Sequence, residues 1–407
     1  MIAKKIEDMP HEYALLMHPE QRRAALGDAQ LKISNADIGM GGTDFYRKEW
    51  EGIHFYNCIF YGVIHLAILR NCVFEHCQFP GSNFQSLAVD NVLFLRTDTL
   101  GGAYLMSGAS SQSKNVRFVE CDFGGDDANP NRYGAISFHD VSYERCTGQY
   151  MVVKGHGVVI YRDCRFGPIY AANGSKTSRK IRRATTYIEN CTFKGQTDIA
   201  RSMLTSLTIR NSNFEVLEIG KSTVEGDVLI EDVQAGAMYG EFWTARSITI
   251  RNSNFRGINV NPKDWYHELY RALDCAVSKE NLDKLQAVTV ENVECGRDDL
   301  EEWWLAHQID DEVTGCWILG GRATTVIRNC KIPKALLALQ SANVLIDNYE
   351  GEKASFVSSK MGSLTFRATN ITQAIDFTGV QVQKLDAKGL NRFTGQKIVL
   401  EGSNVSL

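Results

Sequence analysis

The stretch SITIRNSNFRG, residues 247–257, nearly repeats SLTIRNSNFEV, residues 206–216, written 41 residues earlier. Both follow one template: apolar, any, apolar, any, Asn, small, any, large apolar. Further copies begin at Ile53 (IHFYNCIF), Ala67 (AILRNCVF), Leu87 (LAVDNVLF), Val116 (VRFVECDF), Val159 (VIYRDCRF) and Thr186 (TYIENCTF). The C-terminal half continues the series at Val288 (VTVENVEC), Thr325 (TVIRNCKI) and Val344 (VLIDNYEG). The step from Asn190 to Asn211, Asp232 and Asn252 is 21, 21 and 20 residues, and Asn71 to Asn91 is 20.

A fixed period near 20 with strand-like alternation is the signature of a solenoid. The alternating segment predicts a strand whose every second side chain points inward. Asn suits the following corner because it tolerates left-handed backbone. The small residue after it, often Cys, fits a crowded inner position as a small hydrophobe. The large apolar residue two places on fills the core. The expected fold is therefore all-β, a single-chain right-handed parallel β-helix. Residues 1–30 are expected to form an N-terminal helical cap, with the helical pattern stopping at Gly27. Residues 31–407 would form the β-helix, with insertions near 95–115, 124–134, 167–186, 256–287 and 296–324.

A finer period appears near the start. Phe74, Phe79, Phe84, Val89 and Phe94 stand five apart, with Cys72, Cys77, Ser82, Leu87 and Val92 two residues before them. This resembles the pentapeptide-repeat family, whose coils are four-sided; the resemblance covers roughly Asp37 to Phe94. It implies a bacterial β-solenoid that binds protein, since some such solenoids act as immunity or protective factors.

Bulk properties narrow the function classes. The chain has 407 residues, 44% hydrophobic and 23% charged, with net charge −4. That balance gives no reason to expect nucleic-acid or membrane affinity. The N-terminus lacks an apolar core of signal-peptide length, so a cytoplasmic protein is expected. The 11 cysteines are then reduced thiols, and their spacing shows no CxxC pair or zinc cluster. No cofactor and no metal are expected.

Function is sought in what interrupts the period. One insertion carries a basic run: Lys176, Arg179, Lys180, Arg182 and Arg183. Two later ones, each with a helical pattern, carry Trp265 and Tyr266, then Trp303 and Trp304, among acidic residues. Aromatic anchors with charged neighbours suit a protein interface. These nine residues are the expected partner contacts, and a toxin is the specific partner expected of an immunity protein.

An acidic-glycan reading is the alternative, as a glycoside hydrolase or a phage tail-spike-like binder. Four fragments resemble the active-site series of the polygalacturonase family: RTD at Arg96, GDD at Gly125, GHG at Gly155 and RKIRR at Arg179. The resemblance implies Asp98, Asp126 and Asp127 as the acid and base carboxylates and His156 as a supporting group. The sequence departs from that family with Arg96 where its first motif has Asn. GHG also precedes its strand instead of following one. The balance favours a non-enzymatic binder.

Overall fold

The computed structural model describes residues 3–39, 45–98, 102–107, 114–124, 134–149, 151–171, 173–176, 181–242, 244–255, 273–277, 284–296, 316–319 and 322–407. The chain divides into two compact units, Met1–Phe193 and Lys194–Leu407. Each is a parallel β-solenoid in which a strand pairs with its counterpart one coil away.

In the first unit, Val63–Glu75 lies parallel to Asn83–Leu95, with Val63 opposite Asn83 and Glu75 opposite Leu95. Left-handed corners recur three times per coil, at Gly62, Asn71 and His76, then at Gly81, Asn91 and Arg96. The corners fix which residues stack. Phe55, Phe74, Phe94, Phe118, Tyr143 and Tyr161 form one column, each ring nearly parallel to the next at 4.7–5.2 Å. All six are buried. Stacked rings at this spacing follow directly from strands about 4.8 Å apart.

This register corrects one feature of the template. The copies at Ala67 and Leu87 are offset by one five-residue face from those at Ile53 and Val116. Phe55 lies opposite Phe74, so the corner above Asn57 is His76 and not Asn71. The corner column then runs through Arg96, Glu120, Arg145 and Asp163 to Asn190, all at positive φ. The pentapeptide period makes neighbouring faces look alike, which is why a template with a 20-residue step accepts either one.

The cysteines sit just inside that corner. Cys58, Cys77, Cys121, Cys146, Cys164 and Cys191 follow it, with Thr97 in the one coil that lacks Cys, and all are buried. Their thiols donate to carbonyls of the preceding coil: Cys77 to Phe55 at 3.4 Å, Cys121 to Phe94 at 3.3 Å, Cys146 to Phe118 at 3.4 Å. They act as small core residues with a weak donor.

Two helices, Pro10–Met17 and Pro19–Leu26, precede the first coil, and Gly27 ends the second at φ 57°. The buried Arg22 ties them down, donating to the Leu15 carbonyl at 3.1 Å and the Glu49 carbonyl at 3.0 Å.

In the second unit the template is obeyed without offset. Ile209, Ile230, Ile250, Val290, Ile327, Ile346 and Phe366 stack in register and are buried. At the corner two residues on, Asn292 donates to Asn252 at 2.8 Å, Asn329 to Asn292 at 2.9 Å and Asn348 to Asn329 at 3.0 Å. Just before that corner the outward residues alternate in sign: Arg210, Glu231, Arg251, Glu291, Arg328, Asp347, Arg367. Arg210 pairs with Glu231 at 3.0 Å, and Arg328 with both Glu291 at 3.6 Å and Asp347 at 3.4 Å.

The interrupting segments are partly coil. Leu273–Val277, within the segment read as helical, is a strand parallel to Asp227–Phe242. Cys316–Leu319 is likewise a strand parallel to Leu273–Val277. The long gaps in the Asn series therefore contain coil strands.

Candidate functional site

Most sequence-derived contact residues fall outside the described residues: Trp265, Tyr266, Trp303, Trp304, Arg179 and Lys180, and also Asp126 and Asp127. The basic run is described at its two ends. Ser175–Lys176 and Ile181–Arg182 pair as antiparallel strands, Lys176 opposite Ile181. Arg183 follows, and its carbonyl accepts from the Gly157 amide at 2.9 Å.

Asp98 and His156 are both described, and they do not converge. Asp98 follows the corner at Arg96 and pairs with Gln78. Its carboxyl is raised by burial, with the Asp122 carboxylate adding to the effect. His156 lies before the preceding corner, opposite His139. A whole face, Val141–Glu144 in that coil, separates the two positions.

The GHG triplet has a packing explanation. A Cβ on Gly155 would stand 2.3 Å from a Val159 methyl, and one on Gly157 2.1 Å from the Asp140 carboxylate. Gly157 also has φ 68°, open to glycine at little cost. Its absent side chain lets Asp140 lie 3.1 Å from the His139 Nδ1 and accept the Val158 amide at 2.7 Å.

The same region presents a surface that the motif search missed. On the strands before this corner, the register aligns Val63, Asn83, Tyr104, Ala135, Val152 and Tyr170 in one column. A second column holds His65, Gln85, Met106, Ser137 and Lys154. His139 and His156 continue the pattern. Lys154 is the sole formal charge in those two columns. Tyr104 is 51% exposed, Val63 41% and Tyr170 38%; Tyr46, 57% exposed, rests against the His65 ring at 6.3 Å. Six strands at about 4.8 Å make this flank about 24 Å long.

The flank's character stands out against the neighbouring corner, where charge is consumed internally. Glu120 takes Arg96 at 3.0 Å and Arg145 at 3.1 Å, and these two donors hold its carboxyl below the usual range. Arg117 pairs with Glu144 at 3.2 Å and Arg162 with Glu189 at 3.0 Å. The uncharged column could have been found by following every outward position at the coil period, once the register was known.

Among the described residues, no group of His, Cys, Asp and Glu could hold a metal ion, and no helix is long and apolar enough to cross a membrane.

No family model and no curated protein matches the sequence. Among solved structures, QnrB1, titled a plasmid-mediated fluoroquinolone resistance protein, aligns with 69% of this chain and 96% of its own at 12% identity and a TM-score of 0.19. Similarity at that score carries no argument, and the solenoid assignment rests on the strand register itself.

Proposed function

We propose that this β-solenoid is a binding scaffold that takes a protein partner on the uncharged flank of its first unit. The observation that carries the reading is the column Val63–Asn83–Tyr104–Ala135–Val152–Tyr170, which has exposed tyrosines and no charge. Tyrosine supplies a large contact area at low entropic cost and is enriched at binding hot spots. Covering this flank strips water from few charges, whereas covering the Arg96–Glu120–Arg145 corner would desolvate a satisfied ion-pair chain. The basic run from Lys176 to Arg183 and the segments bearing Trp265, Tyr266, Trp303 and Trp304 are proposed as additional contacts.

The test is affinity capture with the wild-type chain and with the double variant Y104A/Y170A. Circular dichroism melting checks that the double variant keeps its fold. Loss of the captured protein with an unchanged melt supports the reading; equal capture overturns it. The finer reading is a toxin-neutralising immunity protein, supported by the resemblance of the first coils to pentapeptide-type solenoids. Its own test is co-expression: the captured partner should arrest growth alone and be relieved by this chain. A harmless partner overturns the immunity reading and leaves the binder reading standing.

A further inference from the structure

The second unit carries an open cleft of about 680 Å³. One wall is a column of three coils, Lys331, Glu350 and Asn370, opposite one another in register. Asn391 extends it, donating to Asn370 at 2.6 Å. Arg392 and Phe393, on the loop that follows, complete the lining, with the Phe393 ring 37% exposed. Gly351, also on the lining, is held to glycine by packing: a Cβ there would stand 2.7 Å from the Ile332 carbonyl oxygen and 2.8 Å from the Tyr349 ring.

The charges around this cleft differ from those elsewhere on the unit. On the corner ladder, Arg210, Glu231, Arg251, Glu291, Arg328 and Asp347 all take part in ion pairs. Lys331, Glu350 and Arg392 form no ion pair among the described residues, although all three are exposed and line one cleft. Their hydrogen-bonding capacity is therefore open toward the cleft. The fourth charge, Glu352, accepts from Gln373 at 2.8 Å and makes the formal charge of the lining zero.

We propose that this cleft binds a neutral oligosaccharide. Its volume falls within the range of about 300–1,000 Å³ usual for ligand sites. Cationic donors, anionic acceptors and amides that carry both functions stand side by side, which is what a string of hydroxyl groups requires. Hydrogen bonds to charged partners are the stronger ones. The exposed phenyl face offers the C–H side of a sugar ring an apolar platform. Polar groups repeat along the wall at the strand spacing of about 4.8 Å, close to the advance of one sugar ring along a β-linked chain. A polyanion would gain from Lys331 and Arg392 but would meet Glu350 and Glu352 in the same lining. The balance of charge thus selects against acidic glycans. This site is independent of the flank on the first unit.

The experiment is isothermal titration of the full chain with cellohexaose, maltohexaose, chitohexaose and, as the acidic counterpart, hexagalacturonate. Saturable binding of one neutral hexasaccharide is expected, with F393A weakening it by about tenfold or more. The variant E350Q is expected to weaken it less, and Y104A/Y170A to leave it unchanged. A thermal melt shows whether F393A remains folded; if it does not, E350Q combined with R392Q takes its place. No binding of any neutral hexasaccharide, preference for hexagalacturonate, or binding indifferent to the cleft variants F393A and E350Q/R392Q overturns the proposal.

Discussion

Phe55 stacks on Phe74 with ring centroids 5.0 Å apart and planes 12° apart. That contact sets the register of the first unit, because it places Asn57 beneath His76 and carries the aromatic column on through Phe94 to Tyr161. Phe74 has rings on both sides, at 5.0 Å and 4.8 Å, and is fully buried. Truncating it leaves a cavity that rigid parallel strands cannot close. F74A should cost about 3–5 kcal/mol, the range for large-to-small changes at buried aromatics. F74L should cost clearly less. Urea midpoints of the two variants measure the difference; equal costs would mean that the stacked ring, and not the filled volume, carries the stability.

The alternation of apolar positions and the 20-residue step were enough to read the solenoid, because a strand's side-chain period and a coil's length are both local properties. Register in the first unit was not legible in this way. Five-residue faces repeat within a coil, so Asn71 and His76 compete for the same slot in a template. The corner column also breaks the Asn rule: Arg96, Glu120 and Arg145 adopt left-handed backbone at φ 50°, 54° and 53°. Their side chains are joined in an ion-pair chain, and this tertiary pairing is invisible in single-strand patterns. The candidate sites were less legible for a related reason. GHG reads as a motif, but its glycines answer to Val159 and Asp140. Asp98 and His156 are separated by a face whose presence depends on the corners. The uncharged flank appears only when residues some 20 apart are placed side by side.

The Asn ladder of the second unit ends abruptly. Asn348 donates to Asn329, but the next corner residue is Ala368, which holds φ 42° with no side chain to continue the series. A368N supplies both the residue type that tolerates this backbone and a bond toward Asn348, and should stabilise by about 1 kcal/mol. In the middle of the ladder the direction reverses. N292A breaks bonds to Asn252 and Asn329 and places alanine at φ 53°, at a cost of about 2–3 kcal/mol. N292G relieves the backbone part only and should fall between wild type and N292A. Guanidinium midpoints give the order; if N292G is as unstable as N292A, the ladder bonds and not the backbone carry the whole effect.

Burial pushes the Cys72 thiol up from 9.0 to about 12. The native state therefore keeps this proton in a range where the unfolded chain releases it. Its stabilising contribution is fully present below pH 9 and is lost as pH rises toward 12. A shift of this size corresponds to about 4 kcal/mol, taken as an upper value. C72A should be less stable than wild type at neutral pH through lost packing, yet should lose less on going from pH 8 to pH 11. The measurement is the urea midpoint at both values, on wild type and variant. Parallel losses would mean that the alkaline sensitivity lies elsewhere.

Glu291 stands between Arg251 and Arg328 in the sign-alternating column and pairs with Arg328 at 3.6 Å. Each pair on this column is partly exposed, so removing one carboxylate is cheap: E291Q should cost about 0.5 kcal/mol. Reversing the charge is different, because E291K sets three cations in register at strand spacing of about 4.8 Å. Repulsion between like charges at that distance should raise the cost to about 1–2 kcal/mol at low ionic strength. Salt then separates the causes. At about 1 M salt the screening length falls to about 3 Å, so most of the E291K deficit should disappear, and the smaller E291Q deficit should shrink with it because the wild-type pair is screened as well. A deficit in E291K that persists in salt would show that the glutamate's packing, and not the alternation of sign, is what the column requires.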